Sequence, residues 1–286
     1  MTETRIGAVI PARSTSERLP GKQLADLGGR PVIVRMIERL AMSPHLSLDQ
    51  VVLCTTEDAT DDELAAVAAA AGASVFRGDR DDLIRRLGDA VDEHRLDIVV
   101  EADGDDPFID VAYVDLAIER LLAQPQVDVV LPPELPLGMA AKVVRGSAFQ
   151  RVRESYRSTR NDTGFMYFFT RTGLFAVEAV APIAGSDVRP DIRLTLDYEE
   201  DLALLRAVFA ELGGSIAPFA TSDVVELMER RPELLELNAH VADEYWARTE
   251  DLVDLRFERD GQIYVLRASG SSASLSDVEP HEGTAG

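Results

Sequence analysis

The chain has 286 residues, of which 46% are apolar, and this content is enough to build a hydrophobic core. Lys and Arg number 29 against 51 Asp and Glu, which gives a formal net charge of −22. This charge argues against general nucleic-acid binding and against an anionic membrane surface, because both need a basic protein surface.

The single cysteine, Cys54, excludes a disulfide within the chain. The first residues lack the pattern of a signal peptide, and no apolar run approaches the roughly 20 residues of a membrane span. We therefore expect a cytoplasmic protein that binds neither nucleic acid nor membrane.

Short apolar runs alternate with helical patterns over the first half of the chain. The predicted strands are 5–10, 51–56, 74–76, 97–102 and 127–132. The predicted helices are 31–42, 61–72, 81–94 and 111–124. This alternation indicates an α/β fold in which helices flank a mostly parallel sheet. Ligands of such sheets bind at the loops that follow the carboxyl ends of the strands.

The alternation loosens between residues 133 and 190, which we interpret as an inserted segment for the substrate or for dimerisation. The strands predicted from here on are 140–146, 163–170 and 192–197. The helices predicted from here on are 147–156, 198–213, 223–231 and 232–247. We predict one domain over 1–240, a C-terminal extension over 241–268 and a disordered tail over 269–286, which has too little apolar content to fold.

The first loop, "PARSTSERLPGK", concentrates positive charge in an otherwise acidic chain. Its cations Arg13, Arg18 and Lys22 can neutralise a triphosphate, and an arginine can bind two oxygens at once. Lys22 is followed by Gln23 rather than Ser or Thr, so this is not a Walker phosphate loop, and no G-x-G-x-x-G follows the strand. On charge alone, a surface turn with solvated cations fits the loop equally well.

Acidic residues stand at the ends of two predicted strands. Asp105, in "DGDDP", follows the strand 97–102, and Asp197 ends the strand 192–197. Both are expected at the sheet edge that carries the first loop. Mg²⁺ binds through a few carboxylates together with phosphate oxygens and water. An acidic turn closed by proline is the alternative for "DGDDP", but its place at a strand end favours a metal site.

The segment "IPARSTSERLPGKQLADLGGRPVI" resembles the N-terminal signature of the sugar cytidylyltransferases, most closely the spore-coat polysaccharide synthesis protein F branch. It is also similar to the ketodeoxyoctonate cytidylyltransferases and, more distantly, to the acylneuraminate ones. Further segments resemble the same branch in the same order, and together they cover most of residues 6–240. They are "CTTEDATDDELAAVAAAAGASVFRGDRDDLIRRLGDA", "DGDDPFID", "RLTLDYEEDLALLRAVFAEL" and "DVVELMERRPELLELNAH".

This resemblance implies a Rossmann-like nucleotidyltransferase fold of the GT-A type, in a protein that is often a homodimer. It implies that CTP and an acidic sugar or phosphonate react to give a CMP conjugate and pyrophosphate. It gives catalytic roles to Arg13, Lys22 and Asp105, and it gives Mg²⁺ the ligands Asp105 and Asp197. The residues that it places at the nucleotide are Pro11, Ala12, Arg13, Ser16, Arg18, Lys22, Arg77, Gly78 and Asp103.

Three segments depart from the pattern of that branch. Glu101 stands where a basic residue is usual, and "LGMAAKVV" replaces a stretch that is usually rich in acids. "STRNDTGFMYFF" stands where a Glu-His-Val-Thr type sequence is common. All three bear on the acceptor side. The candidate acceptor contacts are Lys142, Arg160, Asn161 and Arg171.

Two other functions remain open at this point. The GT-A fold also serves glycosyltransferases, whose metal site often contains Asp-x-Asp, and "DGD" at 103–105 fits that motif. A noncatalytic nucleotide-binding subunit is the other alternative, suggested by the departures. Tyr245 and Trp246, on a late helix, are expected in the core or at a subunit contact.

Overall fold

The computed structural model of the protein describes residues 4–158, 161–213, 219–267 and 278–280. The strands are β1 (Ile6–Pro11), β2 (Val51–Thr56), β3 (Ser74–Gly78), β4 (Ile98–Glu101), β5 (Val129–Leu131), β6 (Lys142–Arg145), β7 (Val177–Ala179), β8 (Asp254–Arg259), β9 (Gln262–Arg267) and β10 (Val278–Pro280). The helices are α1 (Val32–Leu40), α2 (Asp62–Ala70), α3 (Leu83–His94), α4 (Val111–Ala123), α5 (Gly146–Ser155), α6 (Tyr167–Thr170), α7 (Glu199–Leu212), α8 (Thr221–Arg230) and α9 (Ala242–Leu252).

The main sheet has seven strands in the order β3-β2-β1-β4-β6-β5-β7. Strands β3, β2, β1 and β4 are mutually parallel, β6 runs antiparallel to both of its neighbours, and β7 is parallel to β5. The predicted α/β fold with a mostly parallel sheet is therefore confirmed. Every residue of β2 and β4 is buried, as central strands must be when helices cover both faces.

The two faces of the sheet carry separate hydrophobic clusters. Ala8 and Ile10 of β1 contribute to one cluster and Val9 to the other, because successive strand residues point to opposite faces. Helices α1, α4, α7 and α8 cover the first face, and α3 and α5 cover the second. This arrangement leaves the loops at the carboxyl ends of β1, β2 and β4 along one edge of the sheet.

Two predicted strands are wrong. Residues 163–170 form turns and the short helix α6, which buries Phe168 and Phe169 in the second cluster. A short apolar run cannot by its pattern alone be assigned to a strand or to a buried helical turn. Residues 192–197 form no named strand, and the only bridge among them joins Arg193 to Leu137.

The C-terminal extension, for which we predicted no strands, forms a second sheet with the antiparallel order β10-β9-β8. Leu255, Phe257 and Leu266 of this sheet join the second hydrophobic cluster. Of the predicted disordered tail, residues 278–280 pair with β9, and residues 269–277 and 281–286 lie outside the described residues. The described part of the chain contains no helix with the length and apolar character needed to cross a membrane.

Candidate active site

The loop that follows β1 is held down by one buried carboxylate. Asp61, at the start of α2, accepts hydrogen bonds from the Ser14 backbone N–H at 2.6 Å and from the Thr56 hydroxyl at 2.5 Å. Gly21, in the left-handed region with φ 69°, donates its N–H to the Ser14 carbonyl at 3.0 Å. The backbone of this loop is therefore anchored at both ends, and its cationic side chains start from defined positions.

The acidic turn after β4 lies directly against this loop. A methyl group at Gly104 would come within 2.3 Å of the Pro11 carbonyl oxygen and 2.8 Å of the Ala12 Cβ. The Asp105 carbonyl accepts a hydrogen bond from the Leu196 N–H at 2.9 Å. The first loop, the acidic turn and the segment that ends at Asp197 therefore meet at one place.

Replacing Gly104 with alanine is expected to lower the free energy of unfolding by about 1–3 kcal/mol, because backbone atoms must move to admit the methyl group. The shift would also separate Asp105 from the first loop and reduce activity. Urea denaturation measures the first effect. Gly185→Ala is the matched control, since a methyl group there meets no atom within 4 Å, and equal stability of the two variants would contradict the prediction.

Lys22 links the two acids that were predicted as metal ligands. Its Nζ lies 2.6 Å from the Asp105 Oδ2 and 2.9 Å from the Asp197 Oδ1, and Arg18 also bonds to Asp197. Lys22 and Asp197 are both buried. We call Arg18, Lys22, Asp105 and Asp197 the ion cluster. In it, positive and negative groups neutralise each other, with Lys22 and Asp197 buried and Arg18 and Asp105 about a quarter exposed.

The pKa values of the ion cluster follow from this geometry. Burial alone would lower the pKa of Lys22, but Asp105 and Asp197 outweigh it and raise that pKa. Burial opposes the charge of Asp197, yet Lys22 and Arg18 lower its pKa to about 2. Burial raises the pKa of Asp105, and repulsion from Asp197 and Asp103 adds to the rise despite the attraction of Lys22. Asp197 is therefore ionised at neutral pH, whereas the ionised form of Asp105 is less favourable than that of Asp197.

A second buried network, made of hydrogen bonds to Asp201, holds Asp197 in place. The Asp201 carboxylate, fully buried at the start of α7, accepts from five N–H groups. Two belong to the Arg193 guanidinium, two to the backbone of Asp197 and Tyr198, and one to the Asn238 amide. Arg193 also reaches the Asp197 Oδ2 at 3.1 Å. Asp201 thus orients both Arg193 and the chain that carries Asp197.

Several buried polar atoms around the ion cluster have no hydrogen-bond partner. They are Ser14 Oγ, Arg18 Nε, Asp106 Oδ1 and Arg193 Nη1. Proteins satisfy the large majority of their buried polar atoms, so such a concentration at one sheet edge is typical of a ligand site. Among the described residues no group of three or more His, Cys, Asp or Glu forms a metal site. A metal ion at this site would therefore have at most two carboxylate ligands from the described residues, Asp105 and Asp197.

Two of the three departures from the family pattern form one contact. Glu101 and Lys142 are direct partners in the ladder between β4 and β6, and the Lys142 Nζ lies 3.3 Å from the Glu101 Oε2. The same Nζ lies 2.6 Å from the Asp103 Oδ2. The structure therefore places Asp103 on the side of Lys142, next to the ion cluster.

Glu101 is expected to make stability fall as pH rises. Burial raises the pKa of this carboxyl from 4.5 to about 8, with repulsion from Asp103 adding to the rise and attraction from Lys142 opposing it. The folded protein thus keeps a proton that the unfolded chain releases, and this stabilisation is lost as pH rises from 4.5 through about 8. Urea midpoints across that range should drop less in Glu101→Gln than in the natural protein. The exposed Glu63→Gln variant should keep the natural slope.

The structure gives two predicted site residues other roles. Asn161, predicted to contact the acceptor, is buried, and its amide accepts from the Ile84 N–H at 3.0 Å and donates to Asp82 at 2.9 Å at the start of α3. Arg77, predicted near the nucleotide, bonds to the carbonyls of Thr56 and Asp58 between β2 and α2. The fold therefore uses both polar groups, Asn161 at the first turn of α3 and Arg77 at two carbonyls where β2 leads into the loop before α2.

The remaining predicted residues are more scattered. Arg13 pairs with Asp162 at 2.8 Å rather than with the ion cluster. Ser16 accepts from the Leu19 N–H at 3.3 Å. Gly78 ends β3, where an added methyl group would lie 3.2 Å from the Arg86 Cγ. Arg171 stacks over the Tyr167 ring at 3.5 Å, and Arg160 lies outside the described residues.

The sequence analysis did not identify the side chains that support the ion cluster. They are Asp61, Arg193, Asp201, Asn238 and Tyr245. Asp201 accepts from the Tyr198 N–H at the beginning of α7, but Tyr-x-x-Asp does not match the Ser/Thr-x-x-Glu/Gln signature of a helix start, so the sequence contained no signal for it. The others act through contacts between distant parts of the chain.

Comparison with known proteins identifies the family. Residues 8–209 match the cytidylyltransferase family model. The spore coat polysaccharide biosynthesis protein SpsF of Bacillus subtilis is 27% identical over 234 residues, covering 79% of this chain and 94% of that protein. A cytidylyltransferase structure from Leptospira borgpetersenii has a TM-score of 0.73 at 27% identity, covering 82% of this chain and 97% of that one.

A structure of CMP:2-keto-3-deoxy-manno-octonic acid synthetase complexed with CTP shares the fold, with a TM-score of 0.56 at 19% identity over 73% of this chain and 99% of that one. The resemblance found in the sequence is confirmed by these matches. The chain therefore belongs to the cytidylyltransferase family and is a CTP-dependent nucleotidyltransferase.

Proposed function

We propose that the protein transfers CMP from CTP to an oxygen of a small acidic acceptor, either a sugar-acid hydroxyl or a phosphonate. The acceptor oxygen attacks the α-phosphorus and forms a new P–O bond, while the bond to the β-phosphate oxygen breaks. Pyrophosphate leaves with that electron pair, and a hydroxyl acceptor releases its proton to bulk water. The observation that carries this proposal is the ion cluster, where Lys22 and Arg18 meet Asp105 and Asp197 beside the loop after β1.

The cations of the ion cluster suit the triphosphate. Nucleotidyl transfer depends on positioning and on neutralising charge around the transferred phosphorus. Lys22 and Arg18 are oriented by Asp105 and Asp197, so both point into the site before a substrate arrives. In our proposal they bind the phosphates that become pyrophosphate. Arg13, in the same loop, breaks its ion pair with Asp162 and then assists in binding these phosphates.

Asp105 and Asp197 fit Mg²⁺. Their carboxylate oxygens both lie within 2.9 Å of the Lys22 Nζ, so they converge on a space that a small cation also suits, and the buried Asp106 Oδ1 beside them lacks a partner. Carboxylates with phosphate oxygens and water are the usual ligands of Mg²⁺. When bound, the ion would neutralise phosphate charge and polarise the α-phosphate.

Lys142 is the acceptor contact that the geometry favours. It lies beside Asp103, two residues from Asp105, and a quarter of its side chain is exposed. The Lys142 ammonium, which contacts Glu101, can bind the carboxylate or phosphonate of an acceptor. Asn161 is no longer a candidate, because its amide is already bonded at α3. A homodimer and a cytoplasmic location remain predictions.

Pyrophosphate release tests the proposal. Purified protein with Mg²⁺ would receive CTP, UTP, ATP or GTP, each with pooled acidic sugars and phosphonates. We expect release with CTP alone. Transfer from a nucleotide sugar without activity on CTP would favour a glycosyltransferase instead. CTP binding without turnover across the whole acceptor panel would favour a noncatalytic subunit.

A further inference from the structure

Helix α9 lies outside the matched family region, which ends at residue 209. The residues at its two ends, Val241 and Val253, are buried, whereas none of its described side chains is fully buried. A helix without an apolar buried stripe is normally free of the protein surface or held by polar contacts. The contacts that hold α9 are therefore informative.

These contacts lead to the cations of the active site. The Tyr245 ring lies under the Arg193 guanidinium at 4.1 Å and within 6.0 Å of the Arg18 guanidinium. Arg248 binds Glu17, which lies in the loop after β1, at 2.5 Å. Burial raises the pKa of the Tyr245 phenol, and the negative charges of Asp197 and Asp105 add to the rise.

The two arginines that Tyr245 touches retain unused donors. Arg193 Nη1 and Arg18 Nε are buried without a hydrogen-bond partner. Arg193 is itself oriented by Asp201 and reaches Asp197. Arg18 within the ion cluster and Arg193 beside it thus each have an N–H group without a partner in the protein. An aromatic face below a guanidinium restrains its plane and so directs these donors.

From this arrangement we infer that α9 completes the triphosphate site and that Tyr245 is a positioning residue, which holds Arg193 and Arg18 so that they bind the β- and γ-phosphates of CTP. This inference rests on the proposed function. The ring acts through the arginines and does not touch the reacting phosphorus. Removing it should therefore weaken binding in proportion to the number of phosphates on the nucleotide.

Calorimetric titration with CTP and with CMP, both in the presence of Mg²⁺, tests the inference. In Tyr245→Ala we expect CTP affinity to fall about tenfold and CMP affinity to change less than about twofold, since only CTP reaches the arginines. Tyr245→Phe keeps the ring and should bind CTP as the natural protein does. Asp243→Asn, an exposed change on the same helix, is the matched control.

The natural protein offers a second readout that needs no variant. Trp246 is the single tryptophan of the chain, lies on α9 with 40% exposure and contacts the Tyr245 ring at 5.2 Å. Saturating CTP should change its fluorescence at the same concentration that saturates the calorimetric signal. Unchanged emission at full CTP occupancy would overturn the inference.

The failures of the two proposals can be told apart. If the natural protein binds no nucleotide, the proposed function is wrong and the inference falls with it. If CTP binds equally to Tyr245→Ala and the natural protein, or if the alanine variant weakens CTP and CMP by the same factor, only the role of α9 is wrong.

Discussion

Replacing Asp105 with asparagine is expected to lower kcat for CMP transfer by about two to three orders of magnitude, the usual cost of losing one preorganised electrostatic group at a reacting phosphate or carbonyl. Asparagine keeps the shape of the side chain but removes the charge that faces Lys22 at 2.6 Å. The variant tests the acidic turn as part of the reaction, because the fold around it stays intact.

Stability should not follow activity in this variant. Burial raises the pKa of Asp105, so its ionised form is destabilising at neutral pH, and the neutral amide relieves repulsion from Asp197 and Asp103. We expect the thermal midpoint to stay unchanged or rise while turnover is lost. Pyrophosphate release and a thermal melt on the same preparation measure both, with Glu63→Gln as the exposed control. Activity within about fivefold of the natural protein would remove Asp105 from the mechanism.

Local patterns in the sequence were enough to predict most of the fold. Strand β2 begins and ends at the predicted residues 51 and 56, because a run of buried β-branched and apolar residues is bounded by polar turns. The same rule misassigned residues 163–170, where the aromatic side chains pack from a helical turn instead. The hairpin β8–β9 was missed although its turn residues Asp260 and Gly261, both with positive φ, form the Asp-Gly pair that is the strongest local signal of a hairpin.

The sequence was enough to predict the residues of the ion cluster, but not which of their side chains contact one another. The strand-end rule placed Asp105 correctly after β4, and it placed Asp197 at the same edge although residues 192–197 form no named strand. It could not show that Lys22 lies between them, because the rotation of a long side chain depends on its neighbours in space. Glu101 and Lys142 were separate departures in the sequence, and only the register of β4 against β6 shows that their side chains are in contact.

Replacing Lys22 with methionine should damage both stability and activity. The side chain is of similar length, but without the ammonium the partly exposed Asp105 loses its cation and the buried Asp197 keeps only Arg18 and Arg193. Removing one partner of a buried ion pair costs about 3–5 kcal/mol, which urea denaturation would detect. CTP turnover should fall as well, because the cation proposed for the triphosphate is gone.

The pH dependence of the stability of Lys22→Met distinguishes the loss of the ammonium charge from a loss of side-chain packing. In the natural protein, the pKa of Asp197 is held at about 2, so its stabilisation is present above the ordinary value of 3.8 and is lost as pH falls through 2. Without Lys22 the two carboxylates repel, and protonating one of them relieves the strain. The stability of Lys22→Met should therefore rise as the solution is acidified from neutral pH, the reverse of the contribution that Asp197 makes in the natural protein.

A double variant decides whether Lys22 acts through these carboxylates. Asp105→Asn added to Lys22→Met removes the repulsion between the two carboxylates, so the double variant should be more stable than Lys22→Met alone but equally inactive. Lys22→Arg keeps the charge, yet a planar guanidinium does not replace a point charge placed 2.6 Å and 2.9 Å from two separate carboxylates, and we expect it to restore little activity. If Lys22→Met unfolds at the same urea concentration as the natural protein, the ammonium does not hold the two acids together, and the ion cluster would have to be assembled by Arg18 and Arg193 instead.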